Sequence, residues 1–267
     1  MGDQKRFSLG GNKFMKTIER KTLLYKTDVE YGDYTINHVL GCFHGCLFPC
    51  YAFNLKKRFG DVKSYQEWLE PKIISNALEI LDKEIPKYKK DIKSVQLSFT
   101  TDPFMMKYPE VSDLSIKIIN RLNKDGIKAT TLTKGIIPDA ALNTEKYNEY
   151  GITLISLDES FRTKYEPNTS NYEDRIARLK KMHDNGFKTW VSIEPYPTPN
   201  LIKQDLIAIL DRISFVDYIV FGRWHYNKII SEYTENKDFY NKCSDVVIKY
   251  CLERNIKYHI KKGTKTN

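Results

Sequence analysis

The chain has 267 residues, 41% of them hydrophobic and 13% aromatic, with 43 lysines and arginines against 34 aspartates and glutamates and a formal net charge of +9. This composition supplies a core and excludes wholesale disorder, and neither a membrane-spanning run nor the apolar stretch of a secretory signal is present. Five cysteines are too few for a disulfide framework in a chain of this length, which fits reduced thiols and a cytoplasmic location. The positive excess fits a nucleic-acid partner. A composition rich in Lys, Ile, Asn and Tyr accounts for it as well.

Taken in order, Met1 to Lys13 mixes Gly, Ser and basic residues without periodicity and reads as a loosely docked arm. Leu23 to Tyr34 gives no clean pattern. Tyr34 to Leu40 reads as a strand that feeds into Gly41-Cys42-Phe43-His44-Gly45-Cys46-Leu47-Phe48-Pro49-Cys50-Tyr51-Ala52. Tyr51 to Phe59 makes a short helix ended by Gly60, and its Lys56, Lys57 and Arg58 read as solvated charges or as neighbours of an anionic ligand. Ser64 to Glu67 matches a capping box, and Pro71 opens a helical segment in which Ile74, Leu78, Leu81 and Ile85 share a face.

Alternation follows. Strands are expected at Ser94–Thr100, Lys128–Thr133, Ile152–Leu157, Lys188–Ile193, Tyr218–Phe221 and Lys257–Ile260. Helices are expected at Asp113–Asn123, Asp139–Tyr150, Tyr172–Asn185, Leu201–Ile213 and Asp238–Arg254. Cys243 and Cys251 share a face of the last helix with Phe239, Val247 and Tyr250, which marks them as core. Strands separated by crossover helices predict a parallel α/β sheet, closed or half closed as a barrel. Ligands of such barrels gather at the C-terminal ends of the strands.

The first of those ends carries Cys42, Cys46 and Cys50. Cysteines four apart on a helix would form one buried stripe, but Gly41, Gly45 and Pro49 oppose a helix here, so the segment is a loop with three converging thiols. Zinc would need a fourth ligand: no second CxxC knuckle exists, and His44 between two cysteines has little freedom to join them. Three thiolates on a [4Fe-4S] cluster would leave one iron open to an exogenous molecule.

In these residues the chain resembles the radical S-adenosylmethionine (SAM) superfamily. Gly41-Cys42-Phe43-His44-Gly45-Cys46 with Cys50-Tyr51-Ala52 is most similar to its spore photoproduct lyase-like branch, whose loop reads roughly GCxHGCxYCYA. The likeness continues in order through Thr101-Asp102-Pro103-Phe104 with Glu110, Thr131 to Lys134, Ser156 to Glu159 and Glu166-Pro167. Two departures stand out. The family's C-x3-C-x2-C spacing is C-x3-C-x3-C here, so Phe48 fills the family's aromatic position only if Pro49 bulges outward. Ser98, Phe99 and Thr100 also stand where spore photoproduct lyases carry a hydrogen-donating cysteine.

The resemblance implies a partial (β/α)6 TIM-like barrel over residues 34–230, with an N-terminal arm or extension at 1–33 and a C-terminal helix and short strand at 231–267 packed on it. It further implies that Cys42, Cys46 and Cys50 hold a [4Fe-4S] cluster. An electron from the cluster would split SAM, giving a 5'-deoxyadenosyl radical that takes hydrogen from substrate. Phe48 would pack on the adenine, and Thr100, Thr101 and Asp102 would lie by the methionine amino group, although a turn cap before Pro103 also explains Asp102. Lys134 would neutralise the SAM carboxylate or else be a solvated loop lysine. Ser156 would bond the ribose or methionine, or merely face the barrel interior.

Glu194 belongs with these cofactor-side residues and also with Tyr196, Arg223 and His225 on the substrate side, where Tyr196 and His225 are the catalytic candidates. Tyr196 and Trp224 could stack a ring or simply cover the core. The partners implied are a nucleic acid and an electron donor such as flavodoxin or ferredoxin. Two other readings stay open: a nucleic-acid-binding protein braced by a structural zinc or Fe-S site, and a radical SAM enzyme acting on a peptide or small metabolite.

Overall fold

The computed structural model describes residues 15–48, 50–225 and 227–266. The expected bulge at Pro49 and the expected arm up to Lys13 lie outside the described residues. The strands are β1 (Lys16–Ile18), β2 (Leu24–Lys26), β3 (Tyr34–Ile36), β4 (Val39–Leu40), β5 (Lys72–Ile74), β6 (Ser94–Leu97), β7 (Lys128–Thr133), β8 (Glu149–Thr153), β9 (Lys188–Tyr196), β10 (Tyr218–Arg223) and β11 (Lys257–Ile260). The helices are α1 (Tyr51–Arg58), α2 (Tyr65–Trp68), α3 (Ala77–Tyr88), α4 (Pro109–Asn123), α5 (Glu159–Tyr165), α6 (Tyr172–Asp184), α7 (Leu206–Arg212), α8 (Lys228–Ser231) and α9 (Asn236–Glu253).

Eight strands form one sheet in the order β11-β10-β9-β8-β7-β6-β3-β2, parallel throughout except for the β2–β3 pair. Successive side chains of a strand point to opposite faces. Val95, Leu97, Ala129, Tyr150, Ile152, Val191, Ile193, Ile219 and Phe221 bury one face in the main core with residues of α3, α4, α6, α7 and α9. Their neighbours in sequence, among them Gln96, Thr130, Ser192 and Glu194, turn to the concave face, where Thr130 donates to the Gln96 amide oxygen at 2.5 Å. The fold is the partial, TIM-like α/β barrel that the strand–helix alternation implied.

Glycine makes room on that concave face. A Cβ on Gly151 would lie 2.4–2.7 Å from the Trp190 ring, so the indole crosses β8 only because position 151 is bare. Tyr31 meets Trp190, Phe99 and His259 edge-on. The turn between β2 and β3 is clipped to the opposite edge of the sheet. Glu30 accepts from the Lys262 N–H at 3.0 Å and pairs with His259 Nε2 at 2.7 Å.

Several boundaries differ from the sequence reading. The expected strand 34–40 is two: β3 stays in the main sheet, while β4 joins a small sheet of order β1-β5-β4. The break falls at Asn37, which accepts the Thr100 N–H at 2.9 Å, and at His38, buried between Ser115 (2.7 Å) and Ser98 (3.3 Å) and pulled down to about 3 by that burial. Ile74 belongs to β5 rather than to the helix after it, because Ile73 pairs with Val39 and buries with it, Met105 and Val111. The segment read as helix 139–150 is a 3-10 turn at Asp139–Asn143 followed by β8. Buried Asn148, which accepts the Ala129 N–H at 2.8 Å, fixes that strand's start earlier than expected. Leu24–Lys26, within a stretch without pattern, is the antiparallel edge strand.

Candidate active site

The cysteine loop leaves β4 at the C-terminal end of the barrel and enters α1. Gly41 has φ +96°, and a Cβ there would lie 2.7 Å from the Trp68 carbonyl oxygen, so the turn into Cys42 requires glycine. Neighbouring elements pin the loop's backbone. The Cys42 N–H donates to Trp68 O at 2.8 Å and the Leu47 N–H to Tyr165 O at 2.8 Å, while Tyr65 Oη donates to Cys46 O at 3.0 Å and Asn168 to Phe43 O at 3.1 Å.

Cys42, Cys46 and Cys50 are free thiols, each partly buried. Burial pushes Cys46 up to about 12 and raises Cys42 and Cys50 above the ordinary thiol value. Such thiols ionise only beside a strong positive centre, which an iron-sulfur cluster provides. His44 is not a fourth donor. Its Nε2 accepts the Met106 N–H at 3.1 Å and its Nδ1 lies 3.3 Å from Asp102 Oδ2, so both ring nitrogens are engaged within the protein. Among the described residues no three His, Cys, Asp or Glu side chains converge on a single ion; a cubane spreads its thiolates over three separate irons. An all-sulfur donor set in a pinned loop fits the cluster better than a Cys3His zinc.

The strand ends around this loop show which expected residues come together. Thr100 Oγ1 is buried without a hydrogen-bond partner, an open position for a polar ligand group. Thr101 Oγ1 instead donates to Gly41 O at 2.6 Å. Asp102 is the hub of three loops: it accepts the Phe104 N–H (2.9 Å), Thr133 Oγ1 (2.6 Å) and the Lys134 N–H (2.7 Å), besides facing His44. Burial works against its charge, yet His44, Thr133 and Lys134 hold its carboxyl below the usual range. Both carboxylate oxygens are taken, so the capping alternative describes Asp102.

Lys134 is no solvated loop lysine. Its Nζ lies 2.9 Å from Glu166 Oε1 and 4.4 Å from the Phe48 ring centre. Glu166 pairs through its other oxygen with Arg175 at 2.9 Å, and both residues are fully buried. Arg175 in turn donates to Thr153 O, Ser170 O and Thr169 Oγ1. Burial opposes the Lys134 charge, but Glu166 and Cys46 keep it above the ordinary lysine value. Phe48 is buried edge-on against Trp224 at 5.1 Å, which ties the cysteine loop to the end of β10.

Ser156 is fully buried and accepts the Asp158 N–H at 3.0 Å, a turn contact. Ser98 turns its hydroxyl to His38. Tyr196 is corrected from rim to core: it is 1% exposed, parallel to Phe239 and packed on Phe221, and so has no face for a substrate ring. Trp224 is likewise buried beneath Phe48, Phe161 and Tyr165. His225 is exposed and lines a cavity of about 190 Å³ with Arg223, Trp224 and Lys228; partial burial, then Arg223 and Lys261, pull its imidazole below the ordinary value. A larger cavity of about 490 Å³ lies on the helical side between Asp139, Asp174 and Arg178, so size alone does not locate the site.

Glu194 lies on the concave side, where burial raises its carboxyl and Lys261, 3.1 Å away, partly offsets the rise. Tyr51, the residue after Cys50, is exposed. Lys261 and Glu166 carry no role in the sequence reading. Glu166 had a signal there, a carboxylate beside Pro167 in the ordered motif set; Lys261, in a lysine-rich tail, had none.

A family model, the radical SAM superfamily, matches residues 36–213. The chain belongs to the radical SAM superfamily. This is a superfamily of enzymes that use a [4Fe-4S] cluster and SAM. Among curated proteins the chain is 29% identical over 193 residues to an uncharacterized protein of Acidianus two-tailed virus, covering 67% of this chain and 61% of that protein. It is 26% identical over 197 residues to an uncharacterized protein of Methanocaldococcus jannaschii, covering 71% and 70%. The chain thus spans about three fifths of the viral relative's length.

Among solved structures it resembles spore photoproduct lyase complexed with dinucleoside spore photoproduct, with TM-score 0.64 and 16% identity over 91% of this chain and 80% of that one. A mutant of that lyase with bound AdoMet and dinucleoside spore photoproduct gives TM-score 0.66 at 17% identity with the same coverage. SuiB of Streptococcus suis bound to S-adenosylmethionine gives 0.53 at 14% identity over 69% and 42%. At these identities the likeness is one of fold. No helix among the described residues is long and apolar enough to cross a membrane.

Proposed function

We propose that this radical SAM protein cleaves SAM reductively and abstracts hydrogen from a nucleic acid, in lesion repair or base modification. The observation that carries the SAM chemistry is the pinned loop of three free thiols beside the unpartnered Thr100 hydroxyl. Cys42, Cys46 and Cys50 would hold the cluster, which when bound supplies the electron for SAM cleavage and so the means of hydrogen abstraction.

The chain's own residues do the rest. Lys134, oriented by Glu166, sets a cation beside Cys46 and Phe48 where a SAM carboxylate would be neutralised. Thr100 offers its hydroxyl to a polar group of SAM, and Phe48 offers an aromatic wall backed by Trp224. Asp102 positions: it locks the loops after β6 and β7 to His44 in the cysteine loop.

The +9 charge and the fold shared with a lyase that takes a dinucleoside support a nucleic acid as substrate. The absence of a thiol from Ser98, Phe99 and Thr100 argues against the spore photoproduct itself. The experiment is deuterium transfer: labelled oligonucleotide, incubated anaerobically with reconstituted protein and SAM, should place deuterium in 5'-deoxyadenosine. Transfer from a labelled peptide or small metabolite, with none from nucleic acid, would move the substrate to those classes.

A further inference from the structure

We propose that Glu194 and Lys261, joined across Gly222 on the concave face, read a neutral donor–acceptor edge of the substrate, and that this is the hydrogen-bonding edge of a nucleobase; the last clause rests on the nucleic-acid reading above.

The three residues follow directly on one paired row. Ile193 pairs with Phe221 and Phe221 with Ile260; just beyond, the β9–β10 register shifts in a bulge between Phe221 and Arg223, where Glu194 lies over Gly222 and reaches toward Lys261. Glu194 Oε1 reaches across the middle strand to Lys261 Nζ at 3.1 Å. It can do so because position 222 is bare: a Cβ there would lie 2.9 Å from both Cγ and Cδ of Glu194. The three strands are already held by their own ladders, and the Lys261 N–H continues them to Phe221 O at 2.9 Å. The ion pair is therefore an addition to the sheet, set on its inner surface.

It is also accessible. The Glu194 and Lys261 side chains keep 23% and 26% of their exposure, whereas the Glu166–Arg175 pair keeps none. Glu194 lies near the C-terminal end of β9 and Lys261 just past the end of β11, the end of the barrel at which the cysteine loop leaves β4. A carboxylate that accepts beside an ammonium that donates has no net charge. A phosphate placed there would be repelled by Glu194; an N–H beside a C=O satisfies both groups.

The test measures binding by the reconstituted full chain in the presence of SAM. Fluorescence anisotropy compares a single-stranded thymidine oligonucleotide with an abasic strand of equal length at fixed salt. The parent should prefer the base-bearing strand by at least about tenfold. Glu194→Leu, Lys261→Met and Gly222→Ala should each bring that ratio close to one while leaving abasic binding within about twofold. Variants that keep the parent ratio overturn the proposal. So do variants that lose both strands equally along with melting temperature, since the pair would then be a structural clip. Failure of the parent to bind either strand overturns the nucleic-acid reading itself, and the two failures are thereby distinguished.

Discussion

His44 lies between Cys42 and Cys46 in sequence, yet its Nδ1 faces Asp102 Oδ2 at 3.3 Å, leaving Asp102 to tie the cysteine loop to Thr133 and Lys134 on the next strand. Since its Nε2 accepts the Met106 N–H, the ring proton sits on Nδ1 and points at the carboxylate. His44→Ala should destabilise the fold by about 2–3 kcal/mol, by leaving buried polar groups unmatched. The folded fraction should still take up as much iron as the parent, because the histidine is not a ligand. Denaturant melts and iron analysis check the two halves separately.

Thr100→Val separates a ligand contact from a structural one. The hydroxyl has no protein partner, so an isosteric methyl should leave the melting temperature unchanged or slightly raised. SAM affinity of the cluster-loaded protein, read by equilibrium binding, should fall roughly fivefold or more. A loss of stability with unchanged affinity would return Thr100 to the fold.

Glu166→Gln should destabilise the protein by about 3–5 kcal/mol, because Arg175 and Lys134 are left as buried charges without a counterion. Burial opposes the Glu166 charge, but Lys134 and Arg175 pull its carboxyl down to about 2. A depressed carboxylate contributes stability that is present above its unfolded value, near pH 4.3, and is lost as pH falls through its folded value. The stability gap between parent and Gln variant should therefore be full near neutrality and close as pH approaches 2. Urea melts across that range measure it.

Phe48→Ala removes a ring that Trp224 and Lys134 both touch. About 3–5 kcal/mol of stability should go with it. Phe48→Leu, which keeps apolar volume without an aromatic face, should recover most of the stability but little of the SAM affinity.

Much of this was legible beforehand. Lys128–Thr133 is both the expected and the observed strand, because alternating residues with turn residues on both sides leave one register. The places of the cysteine loop, Thr100 and Lys134 after successive strands were legible because ordered motifs follow those strands. What escaped depends on distant contacts. Ile73 and Ile74 read as the start of a helix until Val39 supplies a strand partner, and Tyr196 reads as a rim aromatic until Phe221 and Phe239 enclose it. Lys261 is one lysine among many in sequence; only its pairing with Glu194, which lies over Gly222, sets it apart.

The most direct test of the account is anaerobic reconstitution with iron and sulfide, followed by reduction in the presence of SAM. The account predicts about four irons and four sulfides per chain, formation of 5'-deoxyadenosine and methionine, and loss of both when Cys42, Cys46 and Cys50 are replaced together by Ala. A folded chain with all three cysteines intact that binds a single zinc instead, or whose reduced cluster leaves SAM uncleaved, would contradict it.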